Sequence, residues 1–339
     1  MVTIPKKIYQ TWSQKELPSA MQAAASSWGQ LNPDWDICIF NDKQCRDFIA
    51  QHFDNEVLSA YDQLIPGAYR ADLWRYCVLY INGGVYADIK LKALLPLSKF
   101  VEPEAGFVTV IDEPPPSLLG IGSSGRSYLM QGFMACTPNH PALLKAIQAV
   151  VQHVQQGNYT TDYLSITGPG LLGRVINQCL ERDELTNYEA GIYKTENSVY
   201  QFLPPWDRKE NLFRDASGNA FIDRSCKGYR KAANYQGKVV HDYDVIKGQY
   251  ARCWFLSMVF KNGQAHFPVM NQKQQAIFDH GKQRATLHMV KLLNMAGAFM
   301  YAKTWSSQYL KHYGFSFKLF TYLCEGKLRY YVGLLSNKK

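Results

Sequence analysis

A chain of 339 residues that is 47% hydrophobic and 19% charged has apolar material for one large α/β domain or two ordinary ones, which excludes disorder along its whole length. Its net charge of +9 suggests a nucleic-acid binder. The excess is local, however: residues 265–339 hold 11 Lys/Arg and 2 Asp/Glu, whereas residues 1–264 hold 26 of each sign. Eight cysteines (38, 45, 77, 136, 179, 226, 253 and 324) are scattered without a C-x-x-C pair. That spacing argues against a zinc site or a disulfide framework and fits a reducing compartment. The opening residues lack the apolar run of a signal peptide, and no stretch reaches the roughly 18 apolar residues of a membrane span. The expected location is cytoplasmic.

Along the chain, Ile4–Trp12 reads as an opening strand entered through Pro5, and the Ala-rich Ser19–Leu31 as a helix. Ile37–Phe40 is a second strand, ending at Asn41-Asp42, which can cap a helix over Lys43–Phe53. Strand and helix alternating in this way favour an α/β fold with a largely parallel sheet. Ala68–Ile81 is a helix whose buried face would carry Ala71, Trp74, Val78 and Ile81, ended by Gly83-Gly84 in a left-handed conformation. Val85–Ala87 is then a strand aimed at Asp88-Ile89-Lys90. Gly106–Val110 is a further strand, and Glu113–Gly125, with three consecutive prolines, a long surface loop of the kind that serves as a lid or recognition element. Gln131–Cys136 reads as a strand, residues 141–155 as a helix, and Thr167-Gly168-Pro169-Gly170 as the opening of another. Residues 200–264 suggest irregular strands, and the chain from Asn271 on is helical in pattern.

Asp72 and Arg75 lie three apart, hence on one helix face, and Asp88 follows at the end of the next strand. The C-terminal edge of an α/β sheet is where such folds bind ligands. A carboxylate there can accept sugar hydroxyls or hold a divalent ion, and an arginine can clamp an oxyanion. A surface ion pair on a solvated helix would show the same spacing.

These residues belong to an ordered series of motifs. Ile4-Pro5-Lys6-Lys7-Ile8-Tyr9-Gln10-Thr11-Trp12 opens it, followed by Asn32-Pro33-x-Trp35 through Phe40-Asn41-Asp42. The centre is Ala71-Asp72-Leu73-Trp74-Arg75-Tyr76, Leu79-Tyr80 and Gly83-Gly84-Val85-Tyr86-Ala87-Asp88, and Gly132–Pro141 and Thr167-Gly168-Pro169 close it. Over residues 4–180 the series resembles glycosyltransferase family 32, which includes the initiating mannosyltransferases of fungal N-glycans, and more distantly the large glucosylating toxins. The resemblance implies a GT-A type nucleotide-sugar-binding fold, assigned to residues 1–264, while the charge split and the helical pattern mark a mainly helical C-terminal extension over 265–339. It also implies a nucleotide-sugar donor, and hexose transfer to a glycan or glycolipid acceptor with retention of configuration. Trp12 would stack near the donor base, Asp72 and Arg75 would hold the donor sugar, and Asp88 would be the first acid of the D-x-D element, contacting ribose or metal. Tyr86 is assigned to packing. His241, at the end of an apolar strand, falls where the family has a late histidine near the diphosphate, and Arg252 and Trp254 are weaker candidates.

The departure from the family pattern is Lys90, which stands where the second acid of D-x-D ligates Mn²⁺ or Mg²⁺. A charged lysine repels a cation. Three readings follow. Lys90 supplies the positive charge at the leaving phosphate itself; or Asp88 alone holds the metal, with late ligands, and Lys90 points away along the strand; or the chain is a nucleotide- or glycan-binding module without activity. An effector enzyme that glycosylates a protein would carry the same chemistry.

In the extension, Lys282, Arg284, His288 and Lys291 fall on one helical face and Leu287, Val290, Leu293 and Met300 on the other, with 11 aromatics between Phe299 and Tyr331. A basic face opposite an apolar aromatic one suits a helix lying on anionic lipid, so residues 282–331 are the expected contact with the inner face of a membrane. A helical pair docked on the body, or a homo-oligomer interface, would have the same pattern. Nucleic acid is not expected as a partner, because the body already has a different ligand.

Overall fold

The computed structural model describes residues 3–13, 16–17, 19–114, 125–226, 250–295, 299–314 and a few positions up to 322. Most of the 113–125 loop, His241 with its expected strand, and Phe315, Phe317 and Phe320 lie outside the described residues.

A seven-stranded sheet organises the body. Its strands are β1 (Lys7–Thr11), β2 (Asp36–Phe40), β3 (Gly84–Ala87), β5 (Phe107–Asp112), β6 (Tyr128–Cys136), β7 (Gly191–Lys194) and β8 (Val199–Leu203), in the order β2-β1-β3-β6-β5-β8-β7. A smaller sheet joins β4 (Lys92–Ala93), β10 (Ala220–Asp223) and β9 (Leu212–Arg214). The fold is α/β, in agreement with the GT-A type, but the main sheet is less parallel than the alternation suggested. Only β1·β2, β1·β3 and β5·β8 pair parallel, because β6 and β7 run against their neighbours. Five strands therefore end at one edge, where the segments after β1, β3, β5 and β8 collect.

The helices are α1 (Ser19–Leu31), α2 (Asp42–His52), α3 (Asn55–Gln63), α4 (Gly67–Asn82), α5 (Pro141–Gln156), α6 (Pro169–Cys179), α7 (Tyr250–Phe255), α8 (Gln272–Met295) and α9 (Phe299–Tyr313). Asn41 closes a capping box with Gln44 at the start of α2. Two strand faces feed two cores, as the period of two requires. Tyr9, Tyr86, Phe107 and Met134 face the side of α4, α5 and α6, whereas Ile8, Val85, Val108 and Phe133 face Trp28 of α1 and the small sheet.

Helix α4 differs from its amphipathic reading. Tyr69, Asp72, Leu73, Trp74, Arg75, Tyr76, Cys77, Val78 and Leu79 are all buried, while Ala71 and Ile81 are half-buried. A helix buried on every side is a central one. Its polar residues are enclosed because they have partners in the site described below. At its end Gly83 and Gly84 both have positive φ (61° and 99°), and a β-carbon on Gly84 would lie 2.6 Å from the Lys7 carbonyl oxygen.

In the C-terminal region, α7, α8 and α9 dock on the body. Trp254, Phe278, Met289, Val290, Leu293 and Tyr309 are buried in the same apolar cluster as α4 and α5. The apolar side of α8 is thus covered by protein. Burial, Arg252 and Lys291 push His288 down to about 4, so it adds no charge near neutral pH. Lys273, Lys282, Arg284, Lys303 and Lys311 remain exposed. Among the described residues no helix is long and apolar enough to cross a membrane.

Candidate functional site

Asp88 directly follows β3, and its backbone N–H still donates to the Gly132 carbonyl, 2.8 Å away, just past the last paired residue of the β3·β6 ladder. The chain then turns: Leu91 N–H donates to the Asp88 carbonyl (2.8 Å). Helix α1 fixes that turn from below. The indole of Trp28 donates to the Leu91 carbonyl (2.8 Å), and Ser27 Oγ accepts from Ala93 N–H (2.8 Å).

The turn decides where Lys90 goes. In a straight strand residues 88 and 90 would point along the same face and continue outward. Here Lys90 folds back, with Nζ 3.2 Å from Asp88 Oδ2, so it does not point away along a strand. Arg75 comes from α4 on the other side, with Nη1 3.4 Å from Asp88 Oδ1 and Nη2 3.2 Å from Asp72 Oδ1. Its guanidinium also lies 4.3 Å over the Tyr86 ring and donates to the carbonyls of Gln131 (3.0 Å) and Ala71 (3.1 Å). The result is a chain of alternating charge, Asp72–Arg75–Asp88–Lys90, at the C-terminal edge of the sheet. Asp72 and Arg75 are buried, while the side chains of Asp88 and Lys90 keep 21% and 19% exposure, enough to meet a ligand.

Environment separates the two carboxylates. Burial pushes the Asp72 carboxyl up to about 6, against the pull of Arg75 and of hydrogen bonds from Thr167 (2.7 Å) and Gln131. Burial also raises Asp88, but Lys90, Arg75 and the Tyr86 hydroxyl (3.0 Å) outweigh it, and the carboxyl is held below its ordinary value.

The sequence pattern singled out Asp72, Arg75, Asp88 and Lys90, and the structure brings the four together. Trp12 sits just after β1 at the same edge, half-buried against the small cluster of Met21, Ala25 and Ile89, the residue between Asp88 and Lys90. Trp254 is elsewhere: it is fully buried and donates to the Tyr159 carbonyl (2.6 Å), which makes it a core residue. Tyr86, read as packing, also touches both Arg75 and Asp88.

Gln131 and Thr167 escaped the sequence reading as contacts. Gln131 lies in a β-bulge: Thr109 on β5 pairs with Met134, yet the next residue, Val110, pairs with Met130. Thr109 Oγ1 donates to the Met130 and Phe133 carbonyls across it (2.7 and 3.2 Å). Bulges re-aim side chains beside active sites. The signal for this one is Gly132, where a β-carbon would lie 3.0 Å from Asp88 Oδ2.

A divalent ion does not fit this donor set. Asp88 is the only carboxylate of the turn, and both of its oxygens face cations within 3.4 Å. Asp72 is committed to Arg75 and Thr167. Among the described residues no three His, Cys, Asp or Glu side chains are grouped to hold a metal. Lys90 stands, with the opposite charge, where the family pattern has a second acid, and the late ligands that would complete a Mn²⁺ or Mg²⁺ site with Asp88, His241 among them, lie outside the described residues.

Residues 18–104, which contain all four charged groups, match the glycosyltransferase sugar-binding region containing DXD motif. Among curated proteins, inositol phosphoceramide mannosyltransferase 3 of Schizosaccharomyces pombe is 30% identical over 169 residues, 49% of this chain and 43% of that one. The initiation-specific alpha-1,6-mannosyltransferase of Candida albicans is 33% identical over 103 residues, 29% of this chain and 27% of that one. The matches thus span less than half the length of these relatives. Among solved structures, the PaToxG glycosyltransferase superposes with a TM-score of 0.41 at 18% identity, covering 53% of this chain and 70% of that one. The family resemblance drawn from the ordered motifs is borne out.

Proposed function

We propose that the chain is a glycosyltransferase that takes a hexose from a nucleotide-sugar donor and passes it, with retention of configuration, to a glycan or glycolipid acceptor. The observation that carries this reading is the Asp72–Arg75–Asp88–Lys90 chain of charges, at the ligand-binding edge of the sheet and inside the region matched to sugar binding. Trp12 would stack near the donor base. Asp72 and Arg75, both buried, would hold Asp88 in place beneath the donor sugar, and Asp88 would take a hydroxyl of the sugar or ribose. Lys90 Nζ would meet the charge that develops on the leaving phosphate, which a fixed cation stabilises without a bound metal. In this scheme the bond from the anomeric carbon to the phosphate oxygen breaks as the acceptor oxygen attacks from the same face, and the acceptor's proton passes to the departing phosphate.

The test is donor turnover. Incubating the full chain with a panel of UDP- and GDP-hexoses should release nucleoside diphosphate from one of them, and Asp88→Asn should lower that rate by roughly 10²-fold or more. Lys90 also favours a second reading, a binding module that kept the fold. Nucleotide binding in calorimetry with no turnover of any donor would establish that reading and sink the first.

Contact with an anionic membrane surface, as part of this proposal, rests on the exposed Lys273, Lys282, Arg284, Lys303 and Lys311, not on insertion of the α8 apolar side, which the protein itself covers. Such binding is electrostatic. Cosedimentation with phosphatidylserine vesicles should be strong at low salt and lost near 0.5 M, where the Debye length is only about 4 Å; salt-independent recovery, or none at low salt, would exclude it.

A further inference from the structure

A second cluster stands at the same edge of the sheet, and none of the roles above uses it. Trp206 follows β8. Its indole N–H donates to Asp112 Oδ1 at the end of β5 (3.2 Å), which fixes the plane of the ring. Two guanidinium groups lie on that ring, Arg224 at 4.2 Å and Arg208 at 5.4 Å from its centre. The nearby acids are engaged. Asp112 Oδ1 also accepts from Glu113 N–H (2.8 Å) and lies 3.7 Å from Arg208. Glu113 pairs with Arg126 (2.8 Å), and Asp223 turns to accept from Ser225 N–H (2.7 Å). Among the described residues Arg224 has the Trp206 ring as its cation–π partner and no carboxylate within ion-pair distance, although its charge acts on Asp112 and opposes the effect of burial there. A guanidinium stacked on an indole keeps its donors at the rim, in the plane where a phosphate or carboxylate binds.

The topology places Arg224 beside the turn that carries Asp88 and Lys90. Strand β10 runs antiparallel to β4, with Asp223 opposite Lys92. One step further sets Arg224 opposite Leu91, and Cys226 packs on the cluster that contains Ile89. The segment from 223 to 226 thus flanks residues 89–92 at about the 4.8 Å spacing of neighbouring strands. Strand order gives the side. Trp12 follows β1 and Asp88 follows β3, whereas Asp112 and Trp206 follow β5 and β8, two and three strands beyond β3 in the sheet. Cys226 and Trp12 meet on the Ile89 cluster, but the Arg224 guanidinium is turned onto Trp206, beyond β3, and a donor reaching from Trp12 to Asp88 leaves that ring on its acceptor side.

We propose that Arg224, mounted on Trp206, is an oxyanion-binding subsite for the acceptor, so that the molecule receiving the hexose carries a phosphate ester or a carboxylate near its reacting hydroxyl. The acceptor assignment rests on the glycosyltransferase reading; the anion site itself does not.

The experiment compares glucose 6-phosphate, glucuronate, glucose and inorganic phosphate as ligands of the full chain, by ligand-observed NMR or calorimetry, with UDP and GDP as donor-side controls. At least one charged sugar should bind more tightly than both glucose and inorganic phosphate; which of the two does so tells a phosphate-bearing acceptor from a carboxylate-bearing one. Arg224→Gln should weaken that binding by roughly tenfold, the worth of a charge-assisted hydrogen bond. Arg224→Lys should restore only part of it, because an ammonium keeps the charge but loses the planar stacked donors, and nucleotide affinity should stay within about twofold, as two unlinked sites require. Equal binding of glucose, inorganic phosphate as good as either charged sugar, no binding of any probe, or an unchanged Arg224→Gln would each overturn the proposal. Loss of UDP or GDP affinity in step with the sugar would assign Arg224 to the donor instead and overturn it equally. If neither nucleotide binds while glucose 6-phosphate still depends on Arg224, the glycosyltransferase reading fails and the anion site stands.

Discussion

Lys90→Asp is expected to convert turnover from chelator-resistant to metal-dependent. Under the proposed function, wild-type release of nucleoside diphosphate changes less than about twofold in EDTA, because the cation opposite the leaving group is Lys90 Nζ, already held 3.2 Å from Asp88 Oδ2. Aspartate at this position removes that charge and sets a second carboxylate beside Asp88, where Arg75 is already shared between Asp88 and Asp72. Activity in EDTA should fall by roughly 10²–10³-fold, the range for losing one fixed group that stabilises transition-state charge. Added Mn²⁺ should restore a measurable part, since two adjacent carboxylates are the hard oxygen donors such an ion takes. Lys90→Met separates the two effects: it should lose a similar factor in EDTA and recover nothing with Mn²⁺. Wild-type activity that EDTA extinguishes and Mn²⁺ restores would overturn the assignment of Lys90.

The charged core of the site was legible in the sequence because it lies within 19 residues of a helix, a glycine turn and a strand, where local spacing fixes geometry. Asp72 and Arg75 share a face by helix periodicity alone. The direction of Lys90 was not legible, because it depends on a turn clamped by Trp28 and Ser27, some 63 and 66 residues away in sequence from the groups they hold. Gln131 and Thr167 were hidden for a related reason: both reach Asp72 only through tertiary contacts, one from a bulge and one from the segment before α6. Helix α3 and strand β7 were missed outright. Strand β7 is a four-residue edge strand of mostly exposed residues, so it carries little alternation to detect. The buried face of α4 was misjudged because periodicity treats Asp72 and Arg75 as a polar, outward side. Their mutual pairing is what allows both to be inside.

That pairing sets the largest expected change in stability. Arg75→Met should destabilise the fold by about 3–5 kcal/mol at neutral pH, the usual consequence of removing one partner from a buried ion pair. The loss should depend on pH, with a sign fixed by Asp72. Its folded-state value, about 6, lies above its ordinary 3.8, so the carboxyl favours folding fully at low pH, and this contribution is lost as pH rises through about 6. Without Arg75 the ionised form has only Thr167 and Gln131 for support and its pKa should climb further, which makes the penalty greatest above neutrality and smaller near pH 5. Asp88 acts in the opposite sense, since its value is depressed: its contribution is present above the ordinary carboxylate range and fades as pH falls. Lys90 still holds Asp88 in the variant, so this opposing slope should largely survive. Urea unfolding of Arg75→Met and wild type at pH 7.5 and pH 5 measures the difference directly. Adding Asp72→Asn to Arg75→Met should recover part of the loss at pH 7.5, because an amide keeps the Thr167 hydrogen bond without the stranded charge. A cost below about 1 kcal/mol at both pH values, well under the range for a broken buried pair, would mean that water reaches Asp72 freely and that the apolar packing of Leu73, Trp74 and Cys77, not the charge network, keeps α4 at the centre of the fold.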